Sequence, residues 1–227
     1  MIYVLTYNFP HRKTQDLLFK LKLRGNDNIT LLSTPWEVRD NFVPLIPHRN
    51  FPAEEIYPKQ LANRLQIEYK ELQTYEEVVP LLNKEDLVLL GGAGIIPKIL
   101  TSTNCVINSH PGYLPYTRGL DALKWAIYDG QPIGVTTHII SADIDLGMMI
   151  QRKMVPIYYW DTFHSVAQRQ YEMEIDMLVD SIDNLDVENL IPVVNTEQIH
   201  LPMVKKRMPH SCELRLIQKF NKRIENI

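Results

Sequence analysis

Leu87-Val88-Leu89-Leu90-Gly91-Gly92-Ala93-Gly94 and, further on, Cys105-Val106-Ile107-Asn108-Ser109-His110-Pro111-Gly112 are two short apolar runs that break off into glycine or polar residues. A run of this length and composition, with no polar alternation, reads as a strand covered on both faces, as in the middle of a parallel sheet. A short helical stretch over residues 95–100 separates them. Working outward toward the N-terminus, the same alternation recurs. Residues 2–7 read as a buried strand closed by Asn8, Phe9 and Pro10, and residues 14–24 as a helix carrying Leu17, Leu18, Leu21 and Leu23 and ended by Gly25. Strands follow over 28–33 and 67–69, with a helix over 58–66 between them. Short apolar strands alternating with helices predict a Rossmann-like, doubly wound α/β layer with a mostly parallel sheet.

Residues 33–58 interrupt this pattern with Pro35, Pro44, Pro47, Pro52 and Pro58, and read as a long surface excursion of the kind that often serves function. Beyond Pro111 the spacing predicts a helix over 121–129, a strand over 134–140, an extended stretch over 148–157 and a long helix over 160–185. Asp161 or Thr162 can cap that last helix, and Phe163, Val166, Ala167, Tyr171, Ile175 and Leu178 form its apolar stripe. The chain then turns polar. Lys205-Lys206-Arg207 reads as a solvated face, and an amphipathic stretch over 213–224 could cover the sheet or a second subunit. The organisation expected is a catalytic domain over 1–185 and a small C-terminal extension over 186–227, with a homodimer possible.

The chain has 227 residues, 45% of them apolar, enough for a core without disulfides or metal. Its 24 basic and 27 acidic side chains leave a charge of −3, too weak a field to argue for nucleic acid as partner. Cys105 and Cys212 are far apart in unlike contexts, and are read as reduced thiols rather than a redox pair or zinc ligands. Residues 1–7 are too short for a signal-peptide core, and no run approaches a membrane span. A soluble cytoplasmic protein acting on a small molecule is the expectation, with no membrane partner and no metal.

Ligands collect at strand ends in an open parallel sheet. Two such ends stand out. The first is Asn108-Ser109-His110, where residues two apart in an extended chain point to one side. The second is the segment over 134–147, whose loop carries Asp143 and Asp145 before Gly147. Asn, His and Asp together suit acyl transfer to an amine. The amide and a charged imidazole can hydrogen-bond the oxyanion of a tetrahedral intermediate, and a carboxylate can keep the imidazole charged and relay the amine proton. No nucleophilic side chain is needed, and Ser109 lacks the flanking glycines of a nucleophile elbow. On residue types alone, an Asn-x-His strand end is more often structural than catalytic.

The joint pattern Asn108-Ser109-His110-Pro111-Gly112-Tyr113-Leu114-Pro115, Arg118-Gly119, Trp125-Ala126-Ile127, Asp129-Gly130, Gly134-Val135-Thr136 and Ile144-Asp145-Leu146-Gly147 closely resembles the core of the formyltransferases that use 10-formyltetrahydrofolate. The resemblance runs from about residue 87 to 185. It implies that Asn108, His110 and Asp145 are the catalytic triad. It also implies that the pterin lies against Gly91, Gly92, Ala93, Gly94 and Ile95, with Ile139, Ile140 and Asp143 on the opposite wall. Tyr113, Tyr116 and Arg118 fall where relatives position the acceptor, and Arg12 or Lys13 could hold a phosphate. After the first strand this chain reads Asn8-Phe9-Pro10-His11-Arg12-Lys13-Thr14. The Gly-Ser-Asn loop of glycinamide ribonucleotide transformylases and the Gly-Thr-Pro loop of methionyl-tRNA formyltransferases are both missing. The resemblance is therefore nearest to the sugar N-formyltransferases, including those of the pseudaminic acid type, and implies a nucleotide-linked amino sugar as acceptor. A glycinamide ribonucleotide enzyme with an altered loop and a catalytically silent homologue are the rivals. His138 and His164 read as core or cap histidines, while His48 and Arg49, in the Pro-rich excursion, are weaker candidates for touching the acceptor.

Overall fold

The structure, a computed structural model, describes residues 1–36, 42–49, 53–103, 106–194 and 202–226. Strands β1 (Ile2–Tyr7), β2 (Ile29–Thr34), β3 (Glu68–Glu71), β4 (Leu87–Leu90) and β5 (Val106–His110) alternate with helices α1 (Arg12–Leu23), α2 (Pro58–Leu65) and α3 (Lys98–Thr101). The second half adds α4 (Ala122–Tyr128), β6 (Gly134–Ile140), β7 (Gly147–Met154), α5 (Phe163–Asp180), β8 (Ile191–Pro192) and α6 (His210–Ile224). All eight strands form one sheet in the order β3-β2-β1-β4-β5-β6-β7-β8. Neighbours from β3 to β5 are parallel, and β6, β7 and β8 join antiparallel. This is the doubly wound α/β architecture expected. The order reverses at β1, whose neighbours are β2 and β4, and a crevice opens at such a switch point beyond the carboxyl ends of the strands.

The apolar runs are continuous because both faces of the sheet are covered. Val4, Leu31 and Leu89 pack with Leu17, Leu18 and Leu21 of α1 and with Leu178 and Val179 of α5. Their strand neighbours Leu5, Leu32, Val88 and Leu90 pack on the other face, with Val78 and with Leu100 of α3. Each of these large side chains contributes about 1.5–3 kcal/mol when withdrawn from water. A 3-10 turn over Tyr75–Leu81 supplies Val78. Its sequence, with Pro80 inside, has no helical period and gave no signal.

Element ends shift where local chemistry overrides periodicity. Helix α5 starts at Phe163 because Thr162 and Ser165 form a reciprocal capping box, and Asp161, bonded to the Tyr158 N–H and to Arg169, holds the turn before it. Strand β5 runs on through His110, so the candidate site residues lie within the sheet rather than after it. Cys105 and Pro52 lie outside the described residues, and Cys212 is a free, half-buried thiol. Among the described residues no helix is long and apolar enough to cross a membrane.

Helix α6 lies against α4. Leu216 and Phe220 join Leu123, Ala126, Ile127, Phe163 and Val166 in one cluster. An ion pair between Lys124 and Glu213, both side chains 0% exposed, lies in this interface, and Glu213 also accepts the Leu45 N–H at 2.9 Å. The C-terminal stretch is thereby bonded to both the core and the Pro-rich excursion.

Candidate active site

Along β5, alternation sends Ile107 to the α1 and α5 face and Val106 to the other. Asn108 and His110 share the side of Val106. In the antiparallel pairing with β6, Asn108 stands opposite His138 and His110 opposite Thr136, so His138 joins the same face. The loop between β6 and β7 returns Asp145 to this point.

His110 Nδ1 is 3.3 Å from Asp145 Oδ1, with side chains 5% and 12% exposed. His110 Nε2 is 2.8 Å from the Thr117 carbonyl. A carboxylate and a carbonyl both accept, so an imidazolium satisfies the two contacts together. Asp145 Oδ2 in turn accepts the Gly119 N–H at 2.5 Å. Asp145 holds a left-handed backbone, φ 51°, a conformation disfavoured for a side-chain-bearing residue and concentrated at functional positions. Gly112 is required by close approach: a Cβ there would lie 2.5 Å from His110 Nε2 and 2.6 Å from the Thr117 carbonyl. The Asn108 amide is half-buried and has no hydrogen-bonding partner among the described residues.

His138, read from sequence as a core or cap histidine, belongs to this cluster. Its Nδ1 lies 2.9 Å from the Leu146 carbonyl, and its buried Nε2 has no partner among the described residues. Burial pushes its pKa down to about 4, against the opposing pull of Asp145 and with the help of His110.

The other expected residues divide. Lys13 reaches the site, donating to the Ser109 carbonyl at 3.2 Å and pairing with Glu174 of α5 at 2.9 Å. Arg49 pairs with the same carboxylate at 2.7 Å. Burial alone would raise Glu174, but Arg49 and Lys13 outweigh it and hold its carboxyl at about 2. Glu174 was not singled out because it sits within the helical stripe of α5. Arg12 is turned to Asp16, which also accepts from Tyr171.

Arg118 departs from its expected role. Its guanidinium is buried and donates to the Ile144 carbonyl at 3.1 and 2.6 Å and to the Pro202 carbonyl at 3.3 Å; it ties loops together rather than facing a phosphate. Tyr113 packs on Gly134 and under Arg152, 4.3 Å from the ring centroid, leaving Tyr116 as the more exposed ring.

On the opposite side of His110, the N–H groups of Gly91 and Gly92 both donate to the Leu5 carbonyl, and that of Gly94 donates to the Tyr75 hydroxyl. A Cβ on Gly91 or Gly92 would meet Thr14 or His11 at 2.9 Å, so these two glycines are required for packing on α1. Ala93, Ile96 and Ile140 line an apolar wall, Ile95 and Ile144 are exposed beside it, Ile139 is in the opposite core, and Asp143 is exposed. That apolar, partly open wall suits one face of a planar heterocycle.

Comparison with known proteins bears on the family and the fold. A dTDP-4-amino-4,6-dideoxyglucose formyltransferase of Mycobacterium tuberculosis is 33% identical over 109 residues, 48% of this chain and 47% of its own length. A methionyl-tRNA formyltransferase of Synechocystis is 32% identical over 124 residues, 53% of this chain and 38% of its own. The chain thus spans less than half the length of these curated relatives. Among solved structures, a sugar N-formyltransferase from Shewanella superposes with TM-score 0.58 at 21% identity, over 87% of this chain and 74% of that one. A glycinamide ribonucleotide transformylase from Symbiobacterium toebii gives 0.57 at 20%, over 80% and 84%. At these identities the superpositions establish the fold. The family described as formyl transferase matches residues 38–182, well over half of the sequence, and the chain belongs to that family.

Proposed function

We propose that the protein transfers a formyl group from 10-formyltetrahydrofolate to an amino group of a nucleotide-linked amino sugar by direct attack of the amine. The observation that carries this reading is the contact of His110 with Asp145 at 3.3 Å beside an Asn108 amide that none of the described residues engages. The amine lone pair forms the new C–N bond while the carbonyl π pair moves onto oxygen. Asn108 donates to that oxygen, where one lost donor costs about 3–4 kcal/mol of barrier. His110 can add its Nε2–H by exchanging the Thr117 carbonyl for the developing anion. Asp145 balances the imidazolium and receives the ammonium proton, directly or through one water. Collapse of the intermediate breaks the bond to folate N10, which takes the proton held by Asp145, directly or through the same water, and leaves as tetrahydrofolate.

The apolar wall of Ala93, Ile96 and Ile140 would take the pterin face. Lys13 and Arg49, two cations on one buried carboxylate, leave an excess positive charge on the α1 side, suited to an acceptor phosphate. This favours a phosphorylated acceptor over an uncharged amine. The test is a screen of amino-sugar nucleotides, glycinamide ribonucleotide and methionyl-tRNA with 10-formyltetrahydrofolate, following tetrahydrofolate release. Release with an amino-sugar nucleotide is expected; release only with glycinamide ribonucleotide or charged tRNA would move the assignment within the family, and none with any acceptor would indicate a silent homologue.

A further inference from the structure

Residues 117–119 hold the His110–Asp145 pair on three sides. The Thr117 carbonyl faces His110 Nε2, the Gly119 N–H donates to Asp145 Oδ2, and Arg118 grips the carbonyl of Ile144, the residue before Asp145. This stretch is neither helix nor part of the main sheet. It is fixed by chain from the far C-terminal side. The Lys205 N–H donates to the Arg118 carbonyl and the Leu120 N–H to the Lys205 carbonyl, both at 2.9 Å, closing a parallel bridge at Gly119. The Pro202 carbonyl accepts from Arg118, and the Lys206 carbonyl accepts from Trp125 Nε1 at 2.8 Å. The Met208 N–H donates to Asp121 at 2.9 Å, and Lys205 Nζ reaches Asp129 at 2.6 Å. The two chains lie so close at Gly119, φ 90°, that a Cβ there would stand 2.2 Å from the Lys205 carbonyl.

We propose that residues 202–208 are a positioning element of the active site, with the Lys205 backbone as its key: by pairing with residues 118–120 they hold the Gly119 N–H against Asp145 and so keep that carboxylate on His110. The inference rests on the reading of His110 and Asp145 as the chemical pair. Asp145 occupies a strained left-handed backbone, and the Gly119 bond is one of the contacts that hold it there. Released, the carboxylate retreats from Nδ1, and a misplacement of about 1 Å can cost on the order of a hundredfold in rate. The basic run over 205–207, read from sequence as a solvated face, is thereby part of the fold's functional end.

The test compares Lys205→Pro, which deletes the N–H bonded to Arg118, with Lys205→Ala, which keeps it and loses only a partly exposed ion pair and a ring contact. Lys205→Pro is expected to lower kcat at least tenfold with the KM for 10-formyltetrahydrofolate within about twofold, and to shift the Gly119 amide resonance, which the carboxylate bond perturbs. Lys205→Ala is expected to stay within about twofold in both constants and to leave that resonance in place. Gly119→Ala, whose methyl meets the Lys205 carbonyl, approaches the same contact from the other side and is expected to act as Lys205→Pro does. Wild-type kcat in a folded Lys205→Pro would overturn the proposal. So would an unmoved Gly119 resonance, or failure of both Lys205→Pro and Gly119→Ala to fold, which would make the contact a requirement of folding rather than of chemistry. Wild-type protein inert toward every acceptor would instead defeat the functional reading, and the amide resonance would still decide the positioning.

Discussion

Two carboxylates with little exposure, Glu174 and Asp145, stand at the same end of the sheet and are treated differently. Glu174, 2% exposed, is saturated by Lys13 and Arg49; two cations hold it charged and leave it nothing to exchange. Asp145 has one histidine and one backbone N–H and no fully charged side chain against it among the described residues. On the proposed mechanism the first carboxylate organises charge and the second handles it. Glu174 is the more deeply buried of the two, and their partners differ as well.

Substitutions can separate the two. Gly112→Ala is expected to have the largest effect, because its methyl would overlap His110 Nε2 and the Thr117 carbonyl. Turnover should fall by more than about a hundredfold, with an overpacking cost of about 1–3 kcal/mol visible in the melting temperature. Near-normal turnover would mean that the His110 geometry is dispensable.

Glu174→Gln is expected to act mainly on stability, since removing one partner of a buried ion pair costs about 3–5 kcal/mol. The loss should appear in urea unfolding at neutral pH, with folded variant retaining measurable turnover. Because the Glu174 carboxyl is held at about 2 from an ordinary value of 4.5, its stabilisation is complete above that ordinary value. It should disappear as the pH falls from 4.5 toward 2, so wild type and variant should converge in acid.

His138 gives the smallest and most gradual effect. Its pKa falls from 6.5 to about 4 on folding, so the unfolded chain binds more protons in between and stability rises with pH across that window. Wild type should lose up to about 3 kcal/mol between pH 6.5 and 4, although His11, also lowered to about 4, contributes to the same slope. His138→Gln should flatten the curve in part. An unchanged slope would show that His138 is charged or solvated in the native protein.

The fold was legible because β1 (Ile2–Tyr7) and β4 (Leu87–Leu90) are mostly apolar runs and β6 (Gly134–Ile140) is rich in β-branched residues, so these strands announce themselves without tertiary information. The Asn-x-His strand end and the Asp145 loop were legible by type and order. What could not be read were contacts made by backbone. The Thr117 carbonyl, the Gly119 N–H and the Lys205 bridge have no side-chain signature, and Arg118, which looks like a phosphate ligand in sequence, is drawn inward by two carbonyls. A histidine within an apolar strand ordinarily signals packing, and His138 is buried as that reading expects; its nearness to His110 and Asp145 has no signature in the sequence. The strand register that sets it opposite Asn108 appears only when the sheet is assembled.

On the proposed mechanism the imidazole of His110 works through the Asp145 carboxylate. Steady-state turnover of Asp145→Asn, measured with saturating 10-formyltetrahydrofolate and the amino-sugar nucleotide that serves the wild type, tests it most directly. The kcat is expected to drop by about a hundredfold or more while the KM for the folate donor barely changes; turnover within a few-fold of wild type would show that His110 does not depend on Asp145.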